Sequence, residues 1–575
     1  MKIAKITVSN YRNIHNISVC FHPMSNYIIG ENNLGKSNLL SLLETICAGR
    51  SFDENDYCSP EEPIEAIIEL KLLSNEIGFF GDNFSPEDET TLKIRYSQAI
   101  SEAYPSIVSY DTGESIQAKQ LKKIHFLKYD TNSIPSKELR LDTQKGAGLI
   151  VNSIIKRYME DSGGDNNFLD DVKVAELTEF INEHLGKIRS FSDYSIKATI
   201  AEKPTEMLSR LFYLSDGQRK IDTTGSGVQF MAMASINILC QIMEIYKSKV
   251  TPFDEQVYIG DDGKKYLPLV LSIDEPEVHL HPFLQRSLIG YYKRILKNED
   301  SDFKELVKMC FGIDGIDGQL IIVTHSTDAL IDDYRNLIRF HKENGATNVI
   351  SGISLRIPDT NEKHLIMHFS EIKEVFYSHC AIMIEGETEY GCIRAFAEKL
   401  GISLDDHEIS IINARGQNSI KPLQRLLGAY RIPSVVVYDN DVKAGETPED
   451  NEFFTNELCF EIEVVKHLCE KSRTDLVRQI VQEMDSNGEA TILDFDFVKK
   501  PFKKLGLNTS TYVPKKLSDI SEDNLTEFCN LYSTWYMVKK GVLLGRIIGD
   551  ILPADLIPDC YADAIRKAQE VSSNA

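Results

Sequence analysis

The chain has 575 residues, 42% apolar and 26% charged, which fits about two to four folded domains and excludes a disordered or fibrous protein. Its 63 Lys and Arg stand against 87 Asp and Glu, a net charge of -24. A protein coated in basic charge is excluded, so nucleic acid would be met at a local patch or through metal ions that offset the acids. No apolar run reaches the roughly 18 residues of a bilayer span, and the opening MKIAKITVSNYRN lacks the apolar segment of a secretory signal. The eleven cysteines are scattered without a C-x-x-C pair, which points to reduced thiols and a cytoplasmic protein with no membrane association.

KITVSNY and NISVCF predict paired strands, NYIIG a buried strand, and the Leu-rich stretch from Lys36 a helix. Residues 64–73 and 91–97 predict further strands of a mixed sheet. From about 140 to 187 the pattern is helical, broken by the Gly-Gly-Asp-Asn-Asn turn at 163–167, and reads as an insertion. Strands and helices resume to about 360 with YSIKATI, the apolar helix 226–247, LPLVLSI and QLIIVTH. A second alternation begins near 376: CAIMIEG, a helix from Thr388, EISIINA, another helix, then SVVVYDND. Alternation of this kind predicts parallel βαβ units. The last 100 residues read as helical and locally basic. The expected class is α/β, with one domain over 1–370 and a second over 376–575.

Gly30-Glu-Asn32-Asn33-Leu-Gly35-Lys36-Ser37 satisfies G-x-x-x-x-G-K-[ST], follows an apolar strand and opens a helix. Backbone N–H groups of such a loop turn inward around phosphates, and the helix N-terminus adds its positive end. Lys36 would reach the β and γ phosphates of ATP and Ser37 would hold Mg2+. The buried strand LPLVLSI ends in Asp274-Glu275-Pro276, which places Asp274 to hold Mg2+ through water and Glu275 to polarise the attacking water. QLIIVTH ends a further strand at His325, within reach of a γ-phosphate. His279 and His281 form H-x-H without a third ligand nearby, so a loop beside the nucleotide is favoured over zinc. The helix start Thr224-Gly225-Ser226-Gly227 offers N–H donors to a phosphate.

Asn33 before Leu-Gly-Lys-Ser, and DEPE followed by HLHP, resemble the ABC-type ATPase heads of the SMC and RecF group. That resemblance implies heads that pair, a signature loop of one subunit closing on the other's ATP. Ser226 and Gly227 are the best candidates for that loop, although the stretch departs from the group's usual Ser-Gly-Gly.

Ile382-Met-Ile384 is an apolar strand ending at Glu385, and Gly386-Glu387-Thr388-Glu389 leads into a helix. PSVVVY forms another, ending in Asp439-Asn440-Asp441, where alternation sends both Asp side chains the same way if the chain stays extended. Sites of such folds lie at the carboxyl ends of parallel strands. Carboxylates converging there would repel one another without cations, so Mg2+ or Mn2+ is expected. E-G-x-x-E followed by D-x-D resembles the Toprim domain of topoisomerases, primases and related nucleases, over about 375–470. Glu463, in Phe460-Glu461-Ile462-Glu463, stands where Toprim nucleases often bring another acid; Glu387 and Glu461 read as a solvated acidic loop.

Between 497 and 546, nine Lys and Arg stand against four acids, a reversal of the chain's balance. An ABC-type head with a helical insertion, followed in one chain by a Toprim domain with a helical C-terminal region, resembles the OLD (overcoming lysogenization defect) family of ATP-dependent nucleases. The resemblance implies two Mg2+ or Mn2+ ions on Glu385, Glu389, Asp439, Asp441 and Glu463 that hydrolyse DNA phosphodiesters. It also implies a late catalytic lysine, for which Lys540 fits better than its neighbour Lys539 with little to separate the two, and dimerisation of the heads into a homodimer or higher homo-oligomer through the ATPase domain and its insertion near 140–190. Members include anti-phage effectors, some acting with a helicase-like subunit or a retron reverse transcriptase and its msDNA. Two alternatives stay open on sequence: a RecF- or SMC-like repair ATPase that binds DNA without cutting it, and a Toprim strand-passage or primer-making enzyme.

Overall fold

A computed structural model of the chain describes residues 1–573 except 82, 130–137, 142–145, 162–170, 201–211, 218, 249–250, 279 and 441–448. The turn expected at 163–167, His279 and Asp441 therefore lie outside the described residues. Two compact units are present, Met1–Ser354 and Leu355–Ala575.

In the first unit, β1 (Lys2–Ser9) and β2 (Ile17–Cys20) pair antiparallel, Lys5 opposite Cys20. β3 (Ser25–Gly30) leaves for a second sheet and leads to the helix Lys36–Cys47. β4 (Ile64–Lys71), β5 (Thr91–Gln98) and β6 (Ser106–Ser109) complete the first sheet, in the order β2-β1-β4-β5-β6. β4 alternates in burial as its sequence does: Ile64, Ala66, Ile68 and Leu70 are buried and the residues between them are not. β7 (His125–Tyr129) joins the second sheet. The helices Gly146–Asp161 and Asp171–Leu185 and the hairpin of β8 (Lys197–Ile200) with β9 (Phe212–Ser215) come before the helix Ser226–Tyr246.

β10 (Tyr258–Ile259), β11 (Lys265–Asp274), β12 (Gly315–Val323), β13 (Leu337–Glu343) and β14 (Ala346–Ser351) complete the second sheet, ordered β10-β11-β12-β3-β13-β14 with β7 also on β11. Its central strands are parallel and buried, hence the unbroken apolar runs of β3, β11 and β12. β11 carries Pro268, a residue that cannot donate to a ladder. On that edge β10 pairs only as far as Tyr266 and β7 begins at Leu269, so the proline sits where the partner changes. The helix Ser226–Tyr246 corrects one expectation: Gly227–Tyr246 is long and apolar enough to cross a bilayer. Most of it is buried inside the unit, as a core helix is.

In the second unit β15 (Cys380–Ile384), β16 (Ile409–Asn413), β17 (Ser434–Tyr438) and β18 (Glu452–Phe454) form an all-parallel sheet in the order β16-β15-β17-β18. The chain runs from β15 to β16 on one side and then to β17 on the other. That reversal opens a crevice beyond the carboxyl ends of β15 and β17. The helix Asp359–Ile372, which the sequence assigned to the first domain, belongs here: His364 and His368 meet the Ser419 hydroxyl at 3.1 and 3.2 Å.

The helices Glu387–Lys399 and Val542–Ile551 cross at backbone distance, through Gly391 on one and Gly545 and Gly549 on the other. A Cβ on Gly545 would lie 1.8 Å from the Thr388 carbonyl oxygen. The Lys399 ammonium caps the second helix by donating to the carbonyls of Gly549, Asp550 and Leu552. Gly545→Ala is expected to destabilise the chain by roughly 1–3 kcal/mol, as overpacking does, in urea or thermal unfolding; an unchanged midpoint would show that the two helices separate at no cost.

Candidate functional site

The first unit builds a phosphate loop between β3 and the helix Lys36–Cys47. Asn33 and Gly35 take left-handed backbone angles, φ 63° and 96°. Gly35 also has no room for a side chain, because a Cβ would meet the Asn13 Oδ1 at 2.8 Å. Asn13 braces the loop: its Nδ2 donates to the Asn33 carbonyl at 2.7 Å and its Oδ1 accepts from Asn38 Nδ2 at 2.7 Å. Arg12 Nη1 donates to Asn38 Oδ1 at 2.9 Å. The run Tyr11-Arg12-Asn13 after the first strand was the available signal for these two residues.

Lys36 is 5% exposed and donates to the carbonyls of Gly30, at 2.9 Å, and Glu31. Burial holds its pKa down at about 8, against the opposing pull of Glu275 and Asp274. Ser37 Oγ donates to Asp274 Oδ1 at 3.1 Å, and burial raises the Asp274 pKa. Glu275 sits at φ 52°, a strained angle for a residue with a side chain, and its N–H donates to the Val323 carbonyl at 2.8 Å. His325 is kept towards its neutral form by burial and then by the Lys36 charge.

Glu277, the last acid of DEPE, anchors that histidine. Its carboxylate accepts from Thr324 Oγ1 at 2.7 Å and from the His325 N–H at 2.6 Å. Lys36, Ser37, Asp274, Glu275 and His325 are thus brought close together, with Asn32 exposed on the loop. His281 caps the helix Pro282–Leu296 and stacks on Phe283, with no metal partner among the described residues. Ser226 opens its helix behind the N-cap Gly225, and Gly227 follows in the first turn.

The second unit holds a cavity of about 880 Å3 at the carboxyl ends of β15 and β17. Ile384 stands opposite Val437 in parallel register, so Glu385 and Asp439 leave adjacent strand tips and both line the cavity. Glu389, one turn into the helix Glu387–Lys399, is 5% exposed. Burial, then Glu461, Asp439 and Glu385, raise its pKa well above the carboxylate range. Four carboxylates therefore share one electrostatic field.

Lys540 lines the same cavity, whereas Lys539 lies with its ammonium 5.9 Å from the Trp535 ring. Thr388 ties these parts together. Its hydroxyl donates to Glu461 Oε1 at 2.7 Å and accepts from the Gly541 N–H at 3.1 Å, the residue after Lys540.

Glu463 is a correction. It does not line the cavity, and it accepts from Asn456 Nδ2 at 2.9 Å and from the Glu457 N–H at 2.8 Å. Glu461 lines the cavity instead and is 6% exposed, so it is no solvated loop residue. Both sit in the first turn of the helix Phe460–Glu470, where two residues of spacing turn a side chain by about 200°. The donor set of Glu385, Glu389, Asp439 and Glu461 is all hard oxygen at high charge density, which fits divalent cations in kind. Among the described residues no group of three or more such side chains is already arranged to hold an ion.

Residues 376–441 match the family described as overcoming lysogenization defect protein-like, TOPRIM domain, and residues 1–162 and 152–330 match the AAA ATPase domain family. The Old nuclease of Escherichia phage P2 is 22% identical over 586 residues, covering 92% of this chain and 87% of its own. The DNA replication and repair protein RecF of Colwellia psychrerythraea is 40% identical over 52 residues, 9% of this chain and 14% of its own. The solved C-terminal region of the Burkholderia pseudomallei OLD protein covers 34% of this chain and 99% of its own, at 18% identity and a TM-score of 0.23.

Glu461→Gln keeps the acceptor for Thr388 and removes one charge from the cavity. It is expected to lower the affinity for a divalent cation by about 10- to 100-fold. Glu463→Ala should instead cost roughly 1–3 kcal/mol of stability through the unsatisfied Glu457 N–H. Titration calorimetry with Mn2+ beside thermal melts of the two variants checks this, and the reverse ranking would return the role to Glu463.

Proposed function

We propose that this chain, a member of the AAA ATPase domain family whose residues 376–441 match the OLD-like TOPRIM domain, is an OLD-type, ATP-regulated DNA endonuclease using Mg2+ or Mn2+. The observation that carries this reading is the cavity that brings Glu385, Glu389, Asp439 and Glu461 together beneath Lys540. A repair ATPase that only binds DNA would leave those carboxylates, Glu389 above all, without work to offset the cost of burying them.

Divalent cations held by Glu385, Glu389, Asp439, Glu461 and Asp441 would activate water and stabilise the leaving 3′ oxygen. The water oxygen bonds to phosphorus as the P–O3′ bond breaks, which yields a 5′-phosphate and a 3′-hydroxyl. Lys540 supplies fixed positive charge to the phosphoryl oxygens as charge builds on them. Its position is set through Gly541 and Thr388, so the same hydroxyl aligns the lysine and Glu461. Burial of Glu389 makes the site favour a cation over an empty set of charges.

In the head, Lys36 would swing from the Gly30 and Glu31 carbonyls to the β and γ phosphates of ATP. Ser37 and Asp274 would hold its Mg2+, Glu275 would orient water, and His325 would meet the γ-phosphate. Ser226 and Gly227 of a second copy would close on that nucleotide, and the insertion near 140–190 would support the homo-oligomer. ATP occupancy then sets how the heads pair and so when DNA is cut. The eleven free cysteines fit a cytoplasmic site of action. From the family resemblance we assign the activity to anti-phage defence, alongside a helicase-like subunit or a reverse transcriptase with its msDNA.

A plasmid assay with Mg2+ or Mn2+ tests this. Wild type should nick supercoiled DNA, Asp439→Ala should lose nicking by about 10³-fold or more with ATP turnover retained, and Lys36→Ala should lose ATP turnover. ATP turnover without nicking under either metal would leave a DNA-binding ATPase.

A further inference from the structure

The basic stretch of the second unit is not spread evenly around the cavity. The helix Phe495–Leu505 carries four lysines, at 499, 500, 503 and 504. Only Lys500 and Lys504 line the cavity, with Pro501 between them, while Lys499 and Lys503 lie exposed outside it. The spacing explains the split: residues four apart stack on one helix face, and Val498 and Phe502 are buried on the opposite one. The helix is fixed at both ends, by the Asp494 cap on the Phe497 N–H at 2.9 Å and by Gly506 in a left-handed C-cap. Phe502 and Phe495 stack edge-on against Tyr512, at 4.9 and 6.0 Å.

Acids and cations reach the cavity from different elements. The carboxylates come from the tips of β15 and β17 and from two helix starts. The cations come from other elements: Lys500 and Lys504 from this helix, Lys540 from the turn before Val542–Ile551, and Arg415 from the turn after β16. Arg415 is held by Glu371 at 2.7 Å, and the next residue, Gly416, donates its N–H to the Glu385 carbonyl at 2.9 Å. A phosphodiester chain drawn towards these acids needs cations for the phosphates next to the one being cut.

We propose that Lys500 and Lys504 form a backbone grip, binding the phosphates that flank the scissile bond and reading no base. This deepens the nuclease reading and rests on it. Lys540 acts on the scissile phosphate alone, so the two roles separate in measurement.

The test uses the full chain carrying Asp439→Ala, which leaves the DNA intact, with a fluorescent duplex whose affinity is followed by anisotropy against salt. Removing two phosphate contacts in Lys500→Gln/Lys504→Gln should flatten the plot of log affinity against log salt by about 1.8, and Lys500→Arg/Lys504→Arg should restore it. Lys499→Gln/Lys503→Gln should change the slope by less than half as much. In the chain with Asp439 intact, Lys500→Gln/Lys504→Gln should raise the KM for DNA by about tenfold, with a smaller change in kcat. An unaltered slope in a wild type that nicks plasmid overturns the grip alone. Equal slopes for the two double variants overturn it too, since that is bulk charge. A wild type that nicks nothing with Mg2+ or Mn2+ removes the nuclease reading and the grip with it.

Discussion

Carboxylates set on neighbouring strand tips repel one another, and the repulsion grows as water is excluded from between them. That constraint organises the second unit. A parallel sheet places Glu385 and Asp439 side by side because its order reverses at β15. Glu389 and Glu461 reach the same point from helices whose apolar faces make up the core of the unit. Burying acids in this way costs stability, and the structure holds them by backbone-level contacts. Thr388 bridges Glu461 to Gly541, glycines allow two helices to touch, and Lys399 caps the helix that follows Lys540. The surrounding fold is what keeps charges together that would otherwise move apart.

The phosphate loop solves the mirror problem with a buried cation. Lys36 leaves water for a site where carbonyls and the charges of Glu275, Asp274 and Glu31 only partly offset the loss, and its charged form is correspondingly weakened. Asn13, Asn38 and Arg12 pin the loop from outside, so its N–H groups keep their orientation whether or not Lys36 moves. Glu275 carries its strained angle at the tip of β11 for the same reason: its backbone is fixed on β12 while its side chain stays exposed.

What could be read from the sequence were features of one stretch. Glu385 and Asp439 each end an unbroken apolar strand, and Gly30–Ser37 carries its whole geometry within eight residues, so local pattern sufficed. Features that depend on phase or on distant partners were not legible. Glu461 and Glu463 are two residues apart at a helix start, and only packing of Phe460, Ile462 and Val464 into the core decides which acid faces the cavity. Glu277 acts on a strand end 48 residues further along the chain, and nothing beside it in sequence marks that partner. The helix Ser226–Tyr246 reads as apolar at any threshold; that it is a core helix follows from what covers it. The helix Asp359–Ile372 has a polar, unremarkable sequence, and its membership of the second unit is fixed by the contact of His364 and His368 with Ser419.

Under the proposed nuclease function, a chain of net charge -24 acting on a polyanion is at odds with itself only if charge is counted over the whole surface. At physiological ionic strength a charge is felt over about 8 Å, less than the span of either unit, so the phosphates at the cavity respond to Lys500, Lys504, Arg415 and Lys540 and scarcely to acids on distant faces. The acidic remainder has its own consequence: it suppresses the sequence-independent binding that lets a basic protein coat DNA. Productive contact is then confined to a strand that already reaches the mouth of the cavity. Access becomes the quantity worth regulating, and the ATP control proposed above would act on access without altering any residue of the nuclease site.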